Sequence, residues 1–162
     1  MPDSDLPRTL VLGLGNDILA DDAVGLRAVR MLRGRTGPGI VVEESSMHGL
    51  ALLDLFIGYE RAVLIDAVHT GRHPPGTILE MSPSDLAPAG GTPSPHFCGL
   101  PEMIDLAARM ELDFPRRFHI VAVEIGDALT IGGAMSAEIE AAVPELCRLV
   151  MKWLAETTPG PA

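Results

Sequence analysis

Cysteine is scarce in this chain, with Cys98 and Cys147 the only two among 162 residues. They stand far apart, and neither has a neighbour at metal-finger or CxxC spacing, which argues against a zinc finger or a dithiol redox motif. Aromatic residues make up 4% of the chain, too few to build a base-stacking platform. Basic residues are also few: 12 Lys plus Arg stand against 22 Asp plus Glu, a formal charge of −10. That balance repels phosphate backbones and anionic lipid alike, so neither a nucleic-acid partner nor a membrane partner is expected. No apolar run reaches the length of about 18 residues that spans a bilayer. The opening MPDSDLPRTL has no apolar signal core. The expected compartment is the cytoplasm.

What is present is aliphatic. Hydrophobic residues make up 47% of the chain and charged residues 21%. A single domain over 1–162 is expected, with an ordered core at about 8–156. A chain of this size buries roughly 70% of its unfolded surface, so neither disulfides nor a structural metal are needed.

The apolar runs alternate in period. RTLVLG (8–13), GIVVE (39–43), RAVLIDA (61–67), GTILEM (76–81) and RFHIVAV (117–123) read as strands. Helical spacing appears over 21–33, 50–56 and 100–112, and from Ser136 to the tail. In the last helix Ile139, Val143, Leu146, Val150 and Trp153 share a stripe, and Cys147 joins it as a small hydrophobe. Pro144 lies inside that helix, where a kink or break is expected. The tail from Thr157 is expected to fray. The segment 82–98 is rich in proline and glycine and reads as a functional or unstructured loop. Strands alternating with helices predict a three-layer α/β/α sandwich around a mostly parallel, twisted sheet of five strands.

Ligands of such sheets sit beyond the carboxyl ends of the strands. Asp21 and Asp22 follow the first strand, Glu43 and Glu44 end the second, and Asp66 ends the third. Acidic groups therefore converge on one edge. GLGNDILADDAVG (13–25) has the strand–turn–helix setting of a nucleotide site, but Ile18 stands where G-x-G-x-x-G requires glycine. Two aspartates also follow where phosphate charge would come. The plainer reading is a tight turn before an acidic helix start. Asp22, Asp66 and His96 form a sensible ligand set for a divalent transition metal with open positions. Singly, each also reads as a helix-start residue, a turn cap or an exposed loop histidine. His48, His69, His73 and His119 carry no better individual signal. Cys98, two residues after His96, reads as a partly buried thiol before it reads as a nucleophile.

Together these segments resemble the hydrogenase maturation protease family. The resemblance rests on LVLGLGNDILADDAVGLRAV, RAVLIDAV with the later PGTI, SPHFCGL, FHIVAVEI and AAVPELCRLV, in that order over residues 9–155. It implies an endopeptidase that removes the C-terminal extension of a nickel–iron hydrogenase large-subunit precursor after nickel insertion. By motif position, the family's three metal-binding residues fall on Asp22, Asp66 and His96. Nickel is then supplied by the substrate protein, and other divalent metals can occupy the site. The precursor is the implied partner. One segment departs from the family pattern: EESSMHGLALL (43–53) keeps Glu44 at an acidic position but has Ser45, Ser46 and Met47 where the family has a glycine–glycine–threonine turn. Glu44 is a candidate general base on water. Two alternatives stay open at this level. One is a chaperone that binds the nickel-loaded precursor without cutting it. The other is a nucleotide-binding α/β enzyme.

Overall fold

Strand β1 (Thr9–Leu14) is buried along its whole length, and its side chains alternate between the two faces of a sheet. In a computed structural model that describes residues 7–86, 94–126 and 128–156, the sheet order is β2-β1-β3-β5-β4. The partners are β2 (Ile40–Ser45), β3 (Arg61–Val68), β4 (Ile78–Met81) and β5 (Arg117–Glu124). Strands β2, β1, β3 and β5 run parallel, and the edge strand β4 pairs antiparallel with β5. The expected mostly parallel, five-stranded α/β architecture is what is found.

Period-2 alternation divides the core in two. Val11, Val63, Ile65, Val121 and Val123 face α1 (Val24–Leu32) and α4 (Ala137–Glu156). Leu10, Leu12, Leu64, Ile120 and Ala122 face the other way, with Phe56 of α2 (Leu53–Phe56) and Met103 of α3 (Leu100–Arg109). Strand β3 is buried throughout, as a strand covered on both faces must be.

Of the kink or break expected at Pro144, the break does not occur: α4 runs continuously through it. The missing N–H leaves the Glu140 carbonyl without its helical donor. Both Glu140 and Pro144 are exposed, so this turn lies on the solvent-facing side of the helix. The tail from Thr157 lies outside the described residues, and so does most of the proline–glycine stretch before Ser94. Among the described residues no helix is long and apolar enough to cross a membrane.

The order β2-β1-β3 places a topological switch between β1 and β3. The chain leaves β1 toward β2 on one side, and β3 lies on the other. Crevices at such points, beyond the strands' carboxyl ends, are where α/β sheets hold ligands.

Candidate metal centre

Two glycines bring the start of α1 onto that crevice. A Cβ on Gly25 would lie 2.3 Å from the Leu14 carbonyl oxygen and 2.4 Å from that of Ile65, and one on Gly13 would lie 2.4 Å from the Gly25 oxygen. Only glycine permits this contact between helix and strand ends. A Cβ on Gly15 would stand 2.4 Å from the Asp22 carbonyl oxygen. The glycines of GLGNDILADDAVG thus serve close backbone packing, and the helix they admit starts with buried Asp21 and Asp22. A phosphate would meet these carboxylates, which removes the nucleotide reading.

The two aspartates do different work. Asp21 accepts from the Ser136 amide at 2.7 Å and from its hydroxyl at 2.5 Å, which ties the start of α1 to the start of α4. Asp22 accepts from the Asn16 amide and faces the crevice. There it meets Asp66, at the carboxyl end of β3, and His96, in a short 3-10 turn at Pro95–Phe97. One donor atom from each of the three lies within 4.8 Å of the others.

Asp66 is wholly buried and fully bonded. Its Oδ1 accepts the Ala67 amide at 2.8 Å. Its Oδ2 accepts the Ser94 hydroxyl at 2.6 Å and His96 Nδ1 at 3.0 Å. The Ser94 hydroxyl oxygen also accepts the His96 amide at 3.3 Å. His96 Nδ1 is therefore engaged by the carboxylate, and Nε2 is the nitrogen left to meet a metal, an arrangement common to metal-binding histidines. Burial raises the Asp66 carboxyl above the usual range, against the opposing pull of His96. Burial likewise raises Asp22. Burial alone would lower the His96 imidazole, but its bond to Asp66 and the charges of Asp66 and Asp22 reverse this and raise it. Each group holds its proton more tightly than it does in water, and a divalent cation would displace those protons. Two carboxylates and an imidazole, converged and desolvated, fit a divalent transition metal.

Glu44 is not brought into this cluster. It pairs with Arg30, Nε–Oε2 at 3.0 Å and Nη2–Oε1 at 2.8 Å, and with Arg33 at 3.1 Å. Arg30 also holds Asp17 at 3.0 and 2.8 Å. The Arg30 bond depresses the Glu44 carboxyl, which weakens it as a base. A cavity of about 450 Å³ opens between the β1–α1 turn and the end of β2, lined by none of the three cluster residues. Gly15, Asn16, Leu26, Glu44 and Ser45 are among its walls.

Cys98 is exposed, not partly buried as expected. The preceding turn directs His96 and Phe97 inward and leaves the thiol outside. Cys147 is buried, and its thiol points at the Ala28 carbonyl, 3.6 Å away. His69 binds the Ile125 carbonyl at 2.9 Å, and His119 stacks on Trp153 with centroids 5.5 Å apart. Neither belongs to the cluster. Two groups carried no signal in the sequence. Buried Glu124 accepts from Thr70 and Gly71 and fixes the loop after β3. His48 lays its ring against His96, with centroids 4.8 Å apart.

A family model described as hydrogenase maturation protease matches residues 39–153. The hydrogenase 2 maturation protease of Escherichia coli is 30% identical over 93% of this chain and 92% of its own length. A hydrogenase expression/formation protein of Rhodobacter capsulatus is 31% identical over 99% of this chain and 79% of its own. Among solved structures, an E. coli hydrogenase maturating endopeptidase superposes with a TM-score of 0.78 at 25% identity, over 93% of both chains. A [NiFe] hydrogenase maturation protease from Thermococcus kodakarensis does so at 0.70 and 27%, over 90% of this chain and 98% of its own.

Proposed function

This chain belongs to the hydrogenase maturation protease family, and we propose that it removes the C-terminal extension of a nickel–iron hydrogenase large-subunit precursor, with the precursor's nickel as the feature it recognises. The observation that carries this reading is the convergence of Asp22, Asp66 and His96 at the switch point. Three protein donors leave positions open for ligands from a partner.

The chain's own part is positioning. The Ala67 amide and Ser94 hydroxyl orient Asp66, Asp66 orients His96, and the Asn16 amide orients Asp22. The cavity between the β1–α1 turn and the end of β2 offers room for the precursor's tail, and its wall residue Asn16 also binds Asp22. Asp22, Asp66 and His96 would hold the ion, and it would supply Lewis-acid polarisation of a carbonyl or activation of a water. Glu44, clasped by Arg30 and Arg33, shapes the wall of that cavity and does not serve as base.

The test compares nickel-loaded precursor with the same precursor freed of nickel, each incubated with this protein and followed by electrophoretic mobility. A shift in the loaded form alone is expected. Equal processing of both forms would sink nickel recognition. A stable complex without cutting would favour a chaperone.

A further inference from the structure

The loop after β2 and the loop before α3 are locked together, and the lock puts a second imidazole beside the first. Gly49 has φ +50°, and a Cβ on it would stand 2.1 Å from the Cys98 carbonyl oxygen. The backbone one residue after His48 therefore rests on the backbone two residues after His96. The Ala51 amide donates to the His48 carbonyl at 3.1 Å, which fixes that residue's main chain. Its ring lies at 56° to the His96 ring with centroids 4.8 Å apart.

The two imidazoles differ in setting. Asp66, His96 and Asp22 are 0%, 2% and 8% exposed, whereas His48 is exposed. It stands on the solvent side of the cluster, close enough for its charge to act on Asp22. No hydrogen bond to another described residue holds its ring, so it is free to turn about its side-chain bonds.

We propose that His48 is a fourth metal-binding group of this centre, an outer imidazole that turns onto a divalent transition metal held by Asp22, Asp66 and His96. The inference rests on the metal-centre reading above and deepens it. In its resting orientation His48 is outside the three-donor cluster, and the metal recruits it. A second imidazole makes the donor set two oxygens and two nitrogens. Nitrogen donors favour nickel, copper and zinc over magnesium and calcium. His48 therefore biases the centre toward the ions a nickel-reading site must prefer.

The test uses the full chain without any precursor. Ni²⁺ is titrated calorimetrically into the wild type, His48→Ala, His48→Gln and His96→Ala, and Co²⁺ is bound as an absorption probe of the ligand set. Both His48 variants should bind Ni²⁺ at least about 10-fold more weakly. They should shift the Co²⁺ absorption bands and melt as the wild type does without metal. Magnesium binding should not respond to His48. Unchanged Ni²⁺ affinity and unchanged Co²⁺ bands in both variants would overturn the proposal, as would a wild type that binds no Ni²⁺. Precursor cutting by a chain whose nickel affinity ignores His48 would sink this inference alone. His48-dependent nickel binding in a chain that never cuts would sink the proposed function alone.

Discussion

Asp66 and His96 stand 30 residues apart in sequence and share a hydrogen bond of 3.0 Å in a pocket closed to water. One lies near the carboxyl end of the central strand β3, and the other sits in a turn on the α3 side of the sheet. Asp66 has even parity in β3, like Leu64 and Val68, so it points to the same side as Phe97. The pair therefore follows from strand alternation and one inward-facing turn.

Asp66→Asn removes the acceptor that Ser94 and His96 share. The Ala67 amide can still donate to the asparagine oxygen, but the side-chain NH2 accepts from neither Ser94 nor His96. Precursor processing should fall by at least about 100-fold, as for loss of a group that binds or orients a metal. The melting temperature without metal should fall at pH 6, where the charged His96–Asp66 pair is lost. Substantial activity in this variant would remove Asp66 from the site.

The metal-free chain should be less stable in mildly alkaline solution than at pH 6. The His96 pKa is raised above its ordinary 6.5. Its contribution is therefore complete below pH 6.5 and is lost as pH rises through the folded value. His96→Gln lacks that proton. In chelator, the stability difference between wild type and variant should shrink from pH 6.5 upward. A difference that grows with pH would contradict the charged His96–Asp66 pair.

Glu44→Gln should leave processing within a few-fold of wild type, because the carboxylate is spent on Arg30 and Arg33. Each exposed ion pair of this kind contributes about 0–1 kcal/mol, so stability should change little. A collapse in turnover with binding intact would restore Glu44 as the base.

Gly25→Ala should destabilise the fold by about 1–3 kcal/mol, the range for overpacking, because the new methyl meets the Leu14 and Ile65 carbonyl oxygens. Gly37→Ala has open space and should be near neutral. Urea unfolding of both variants checks the contrast.

Much of this was legible in the chain. Continuous apolar runs marked buried strands, and acidic residues at strand ends marked the crevice edge. The convergence of Asp22, Asp66 and His96 was expected from donor chemistry together with a family resemblance. What was not legible depends on partners distant in sequence. Nothing near Glu44 shows that Arg30 clasps it, and Asp21 and Ser136 are 115 residues apart. His48 looked like any loop histidine, because its meaning lies in the Gly49–Cys98 contact across the fold. Pro144 read as a helix breaker because local rules do not reveal that its turn faces water.

The most direct measurement is the intact mass of a nickel-loaded hydrogenase large-subunit precursor, before and after incubation with the wild type and with His96→Ala. The account predicts loss of a C-terminal peptide with the wild type and an unchanged mass with the variant. Equal cleavage by both would show that the centre built on Asp22, Asp66 and His96 does not perform the processing.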